Sequence, residues 1–450
     1  MKAALRVVAC TIVLAFATGF LWQDRFQREA RLQDLAYARE RYVLGTHAFS
    51  PAARKQALAV IHELEGHAAT LSNMEFLVAM SRLTALSHNA HDNVSLGEGA
   101  WQPQGRLPLR IIWFPDAMVI ARAGPPVVDL AGARITAVEG VAQDLLFKRL
   151  EEVCGGNENY CRWTTTWAIE YEGALQALGI AKSADKILFS LLLPDGRRVK
   201  REVEMVPFSE VPDMRPTRLW SSELTEEEAR RGWRAAIDSN TEPFYLRDAD
   251  EPFRFTSIPS TDAAYLQFRI NRDLGSHMIK RFAQDTSGEL TAHHGRDLVL
   301  DLRFDVGGDI TQTRELLREL PNDVTGRIYL LAGRYTFSAG IVAAAIVKYY
   351  GRDRVTIVGE GVADRLHWWS EGKDACLPNS HLCLRVSDGL WDLIKGCAAE
   401  SDCYGDRFVL PVGSLDPQLK APLTAAAWLS GRDPGMEAIM TKITKSRKER

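Results

Sequence analysis

The sequence predicts an α/β protein whose main domain is preceded by a β-rich module and a helical module, and three observations carry that reading. From Ala263 onward, apolar strand-like runs alternate with helical stretches. Between Leu107 and Val206 short strand-like runs follow one another, punctuated by turns. Glu29 to about Leu86 shows polar–apolar periodicity of the helical kind with few glycines. At 450 residues the chain is too long for one core, since single cores stop growing near ~250 residues.

The first segment, 1–22, pairs Lys2 and Arg6 with an apolar run from Val7 to Trp22. A basic stretch followed by an apolar one reads as an export signal. Ala15-Phe16-Ala17 offers a small-x-small cleavage site, while the run to Trp22 is nearly long enough to anchor in a bilayer, so cleavage and anchoring both stand. Cys10 lies inside the run without a lipobox. The helical module, 23–100, contains two stretches, Ala52 to Ala69 and Met74 to Leu86.

In the β-rich module, 105–208, strands are expected at Leu109 to Phe114, Met118 to Ala123, Arg134 to Val138, Ile187 to Leu193 and Val199 to Val206. Pro194-Asp195-Gly196-Arg197 reads as the hairpin turn before the last of them. Gly132-Ala133-Arg134-Ile135-Thr136-Ala137-Val138-Glu139-Gly140 resembles the strand and turn G-x-x-I-x-x-V-x-G of a PDZ domain, against the plainer reading of a small antiparallel β domain. Glu223 to Ile237, rich in Glu, Arg and Ala, is expected to be a linking helix.

The last region, 240–440, alternates strand and helix. Strands are expected at Ala264 to Ile270, Asp297 to Leu302, Gly326 to Leu331 and Arg354 to Val358. Helices are expected at Gly275 to Leu290, Thr311 to Leu320 and Ser338 to Tyr350. Such alternation implies parallel βαβ units.

Charged residues make up 25% of the chain and the formal net charge is only −3, which argues against nucleic acid or an anionic membrane surface as partner. Beyond Cys10, the cysteines fall into near neighbours: Cys154 with Cys161, Cys376 with Cys383, Cys397 with Cys403. Local pairs suit disulfides in an oxidising compartment, and the spacings of a zinc site are missing. Export to the periplasm or cell envelope is the expectation.

Arg334-Tyr335-Thr336-Phe337-Ser338-Ala339-Gly340 sits between an apolar strand and an apolar helix. A serine there stands at the positive end of a helix, where backbone N–H groups can meet an oxyanion; the plainer role is a helix cap. About thirty residues earlier, Asp301-Leu302-Arg303-Phe304-Asp305-Val306-Gly307-Gly308 ends a buried strand in paired glycines. With Val358-Gly359-Glu360 and the terminal Gly431-Arg432-Asp433-Pro434, these segments resemble the catalytic domain of the tail-specific (C-terminal processing) serine peptidases and their tricorn-type relatives over about residues 260–435. Asp305 departs from the family's asparagine.

The resemblance implies a ClpP/crotonase-like catalytic domain that hydrolyses protein or peptide substrates, with no metal or organic cofactor. Ser338 would be the nucleophile, and the oxyanion hole would use the N–H groups of Ala339 and of Gly307 or Gly308. The tail-specific branch places a lysine after the G-E strand; here that stretch holds Arg365, which cannot give up its proton. Lys348 and Lys373 are poor substitutes. The tricorn-type branch draws a histidine from upstream, and Leu86-Ser87-His88-Asn89-Ala90-His91-Asp92 resembles that segment, with His91 the better fit and His88 its rival. Imidazole titrates near neutrality and so serves as base and then acid. His293-His294 reads as an exposed turn. The orienting carboxylate has no clear motif; Glu400, Asp402 and Asp406 occupy the neighbourhood. The alternative to an enzyme is an inactive relative that binds envelope peptides or acts as a scaffold.

Overall fold

A computed structural model describes residues 27–212, 214–259, 261–292, 296–397 and 402–448. The N-terminal run, Cys10, His293, His294 and Glu400 lie outside the described residues. Among the described residues no helix is long and apolar enough to cross a membrane. The chain divides into two compact units, one of 1–102, 153–155 and 369–389, the other of 103–152, 156–368 and 390–450.

In the first unit, helix Pro51–His67 begins at Ser50, whose hydroxyl accepts from the Ala53 N–H, with proline at the first helical position. Helix Asn73–Ala85 begins with a capping box between Ser72 and Glu75 and buries Phe76, Leu77, Met80 and Leu83. Val94–Leu96, Leu382–Val386 and Lys373–Cys376 form a three-stranded antiparallel sheet. The disulfide Cys376–Cys383 joins two of these strands at a facing pair.

The second unit contains two sheets that matter to the site. The first is antiparallel, in the order Arg234–Ala235, Met118–Ala123, Arg134–Val138, Lys186–Leu192, Arg198–Glu204, with Leu109–Trp113 paired to Met118–Ala123. Glu139 and Gly140 turn the chain after Arg134–Val138, both at positive φ. One expectation fails here. The stretch Glu223 to Ile237 is helical only over Glu226–Arg230 before it joins the sheet at Arg234–Ala235, because Gly232 at φ 75° ends the helix after little more than a turn. Between Val138 and Lys186 lie short helices, Gln143–Leu150, Glu158–Thr164, Trp167–Glu170 and Ala174–Ala177, where no helix was expected.

The other sheet runs β1 (Phe253–Ser257), β2 (Ala264–Phe268), β3 (Leu298–Asp301), β4 (Ile328–Ala332), β5 (Val355–Gly359) and β6 (Leu419–Lys420), in chain order. Only β1 is antiparallel to its neighbour. Helices α1 (Ile279–Ala292), α2 (Arg314–Asp323), α3 (Ala339–Gly351) and α4 (Pro434–Lys448) complete the layers. The central strands are buried and mostly apolar because both their faces are covered. Leu298, Leu300, Ile328 and Leu330 pack with Ile341, Ile346 and Val347 of α3 on one face. Val299, Tyr329, Leu331 and Val358 meet Ile439 and Ile443 of α4 on the other. Burying one such leucine or isoleucine contributes roughly 1.5–3 kcal/mol. The parallel order places the C-terminal ends of β3, β4 and β5 side by side, where ligands bind in open α/β sheets.

Cys154 and Cys161 are also disulfide-bonded, and Cys397 pairs with Cys403. Closing such short loops contributes on the order of 2–3 kcal/mol each in the chain-entropy view. Protein denatured without reductant should therefore show no free thiol apart from Cys10; titration of all the remaining cysteines would overturn the pairing.

Candidate active site

Chain entry into α3 is a tight turn built on Thr336. Its Oγ1 donates to Leu302 O at 2.7 Å and accepts from the Gly333 N–H at 2.9 Å, while its carbonyl accepts from the Ala363 N–H at 2.8 Å. The next residue but one, Ser338, sits at φ 52°, ψ −120°, a backbone conformation that costs a non-glycine residue about 1–3 kcal/mol. Its side chain makes no capping bond to α3, so the plain role of a helix cap does not apply. Ser338 is half-buried at the head of a helix that is itself buried along nearly its whole length.

Beside Ser338 lies the turn that follows β3. Gly307 and Gly308 have φ of 100° and 141°, values that favour glycine. A Cβ on Gly307 would lie 2.7 Å from the Cβ of Ser338 and 3.2 Å from the Ala339 N, so the missing side chain is what lets the turns touch. The Gly307 N–H is spent on Asp305 Oδ1 at 3.1 Å. Among the described residues, the N–H groups of Gly308 and Ala339 donate to no protein acceptor. Of the donors expected from the sequence, these two are left to meet a ligand.

Ionic ties hold the turns from below. Arg303 pairs with Asp301 at 2.6 Å and with Asp433 at 2.9 Å, its guanidinium 4.2 Å from the centroid of Tyr245. Burial pushes the Asp301 carboxyl up, but Arg303 outweighs it and holds the group below its usual range. Arg334 pairs with Glu360 at 2.8 Å and donates to Trp113 O at 2.7 Å and to Leu423 O at 3.1 Å. The segments Asp301-Leu302-Arg303, Val358-Gly359-Glu360 and Gly431-Arg432-Asp433 thus converge physically.

The remaining sequence candidates fall elsewhere. Lys348 donates to Arg352 O and Val355 O at the far end of α3, ~15 Å along the axis from Ser338. Lys373 is exposed on a strand of the first unit. His91 and His88 belong to the first unit, on the segment after helix Asn73–Ala85. His88 is exposed at φ 51°; His91 is half-buried, with both ring nitrogens shielded from solvent. Around His91 the segment is pinned: Asn89 Nδ2 donates to Asp92 Oδ1 and to Trp369 O, and Asp92 also accepts from Tyr42 and Thr46. Asp402 is exposed, and Asp406 lies in the turn Tyr404–Phe408. Sequence reading passed over Asp364, a carboxylate only 4% exposed, next to the Ala363 that bonds the serine turn. No motif marks it. Among the described residues there is no cluster of His, Cys, Asp and Glu that could hold a metal ion.

This architecture matches solved structures. Mature CPAF complexed with lactacystin superposes with a TM-score of 0.60 at 11% identity, over 94% of this chain and 99% of that one. Mature CPAF gives 0.59 at 12% identity, over 93% and 97%. The chain shares its fold with CPAF. No protein-family model matches the sequence, and no curated protein matches it.

Asp305 is fully buried, and burial raises its carboxyl to about 7, only partly offset by the Gly307 N–H and Asn271. A folded-state value above the unfolded one of ~3.9 means that this group favours folding at low pH, and that the contribution is lost as pH rises through about 7. Asp305→Asn, which stays neutral, should match the parent in urea denaturation near pH 4 and exceed it by roughly 2–4 kcal/mol near pH 8. An equal difference at both pH values would contradict the assignment.

Proposed function

We propose that this protein is an exported serine endopeptidase of the tail-specific/tricorn type, hydrolysing peptide bonds through an acyl-enzyme on Ser338. The observation that carries the reading is the serine turn itself. Ser338 is held in a strained conformation with its hydroxyl unspent on the helix, flanked by the uncommitted N–H groups of Ala339 and Gly308. Helix caps do not need that arrangement; nucleophiles do. The fold shared with CPAF, also solved as a serine-to-alanine mutant, agrees with a ClpP/crotonase-like catalytic domain.

Ser338 Oγ attacks the scissile carbonyl carbon while His91 takes its proton, and the carbonyl oxygen becomes an oxyanion facing the Gly308 and Ala339 N–H groups. Collapse expels the amine, which receives that proton from His91. Water, deprotonated by the same histidine, then releases the acyl group and restores Ser338. The residue that orients the base would come from Glu400, Asp402 or Asp406, the carboxylates in the stretch where tricorn-type enzymes place it. The β-rich module reads as PDZ-like and would take an extended peptide by strand addition. The disulfides agree with an oxidising compartment, and the N-terminal run would serve as signal or anchor.

A fluorophosphonate probe should label Ser338 in the parent and nothing in Ser338→Ala. That variant should lose on the order of 10⁴-fold or more of its turnover on an unfolded protein substrate, with its thermal melt kept. His91→Ala should lose a similar factor and His88→Ala far less. An unlabelled, inert parent would favour the binding-protein alternative, and full activity in His91→Ala would end the histidine mechanism.

A further inference from the structure

The two proposed oxyanion donors lie on different segments, Gly308 after β3 and Ala339 at the head of α3, and something must fix one against the other. Asp305 touches both. Its carboxyl accepts from the Gly307 N–H at 3.1 Å, and its backbone carbonyl accepts from the Phe337 N–H at 3.0 Å, on either side of the site. Gly340 closes on it from above, since a Cβ there would strike Asp305 O. A second residue completes the frame. Asn271 donates through Nδ2 to Asp305 Oδ2, its backbone N–H donates to Gly307 O at 2.8 Å, and its carbonyl accepts from the Asp309 N–H at 2.6 Å. Thr313 Oγ1 fixes the amide by donating to Asn271 Oδ1 at 2.7 Å. Asp305, Asn271 and Thr313 are all buried.

We propose that Asp305 is the positioning residue of the oxyanion site, holding the Gly307–Gly308 turn and the serine turn in one frame so that the Gly308 and Ala339 N–H groups converge on the same point. The inference rests on the peptidase reading. Preorganised donors act because they need no rearrangement when charge develops, so loosening the frame slows the chemical step without weakening substrate binding.

The protonation state of Asp305 supplies a readout that a purely structural role would not move. The groups that face its carboxyl are the Gly307 N–H and the Asn271 amide, both neutral, and no charged side chain contributes to its titration. An ionised Asp305 therefore opposes the oxyanion, whereas the neutral form does not. Asparagine is the shape of the neutral form. It accepts from Gly307 through Oδ1, and Asn271 turns its amide over to face it, using Thr313 Oγ1 as an acceptor.

The test is steady-state hydrolysis of a peptide by the full chain across about pH 5–9, for the parent, Asp305→Asn, Asp305→Ala and Thr313→Val. The parent's kcat should fall on the alkaline side, and Asp305→Asn should keep kcat within about threefold near pH 6 and abolish that fall. Asp305→Ala should lose roughly tenfold to a hundredfold in kcat with KM little changed, somewhat below the cost of deleting a donor outright. If Asp305→Ala does not fold, Thr313→Val, which frees the Asn271 amide, should show the same kcat loss in smaller measure. Full kcat in both Asp305→Ala and Thr313→Val, a rise in KM alone, or an alkaline fall that persists in Asp305→Asn would overturn the inference. An inert parent would instead remove the peptidase reading on which it stands.

Discussion

The buried ion pair between Arg334 and Glu360 is the interaction on which the second unit turns. Both side chains are largely withdrawn from water, at 4% and 11% exposure, so neither charge is solvated well enough to stand alone. The guanidinium fork also binds the carbonyls of Trp113 and Leu423, and Glu360 Oε1 accepts from the Leu423 N–H. One cation therefore ties the antiparallel sheet, the serine turn, the end of β5 and the C-terminal segment to each other. Lysine has a single point of charge and cannot satisfy those acceptors in one plane. Loss of either partner would strand the other and cost about 3–5 kcal/mol, released at the place where the backbone is already strained.

A second ionic tie explains why separate sequence motifs belong together. Asp301 ends β3, Arg303 follows it, and Asp433 lies just before α4, yet the three form one buried cluster with the Tyr265 hydroxyl donating to Asp301 at 2.7 Å. Arg303 is compensated on both sides, which is what makes a charge tolerable at that depth. The glycines add the other half of the design. Positions 307 and 340 bring backbones into contact where any side chain would part them.

Much of this was legible in the sequence because the forces involved are local or periodic. The buried strands read as apolar runs, and β2 to β5 lie within two or three residues of their expected limits. Ser338 and the paired glycines were visible because a serine between an apolar strand and an apolar helix has few physical uses. Less legible were the short helices from Gln143 to Ala177, too brief to show a period, and the Glu223 to Ile237 stretch, where strand pairing of Arg234 and Ala235 outweighed helical propensity. Asp364 was illegible for another reason: its distinction is burial beside the serine turn, and a carboxylate in a loop looks the same in sequence whether buried or solvated. Asp305 could be seen as a departure from the asparagine of the peptidases that the motif resembles, but not that it would be wholly enclosed.

The conformation of Ser338 sets the stability of the fold against its chemistry. Glycine reaches φ 52°, ψ −120° without the clash that serine's Cβ incurs, so the residue best suited to the backbone here is the one with no hydroxyl to offer. A descendant released from selection for hydrolysis would gain stability by drifting to glycine at this position, whereas one under selection must keep the less comfortable side chain. On the peptidase reading, the serine kept here is a stability cost carried by the scaffold that Arg334 and Arg303 tie together.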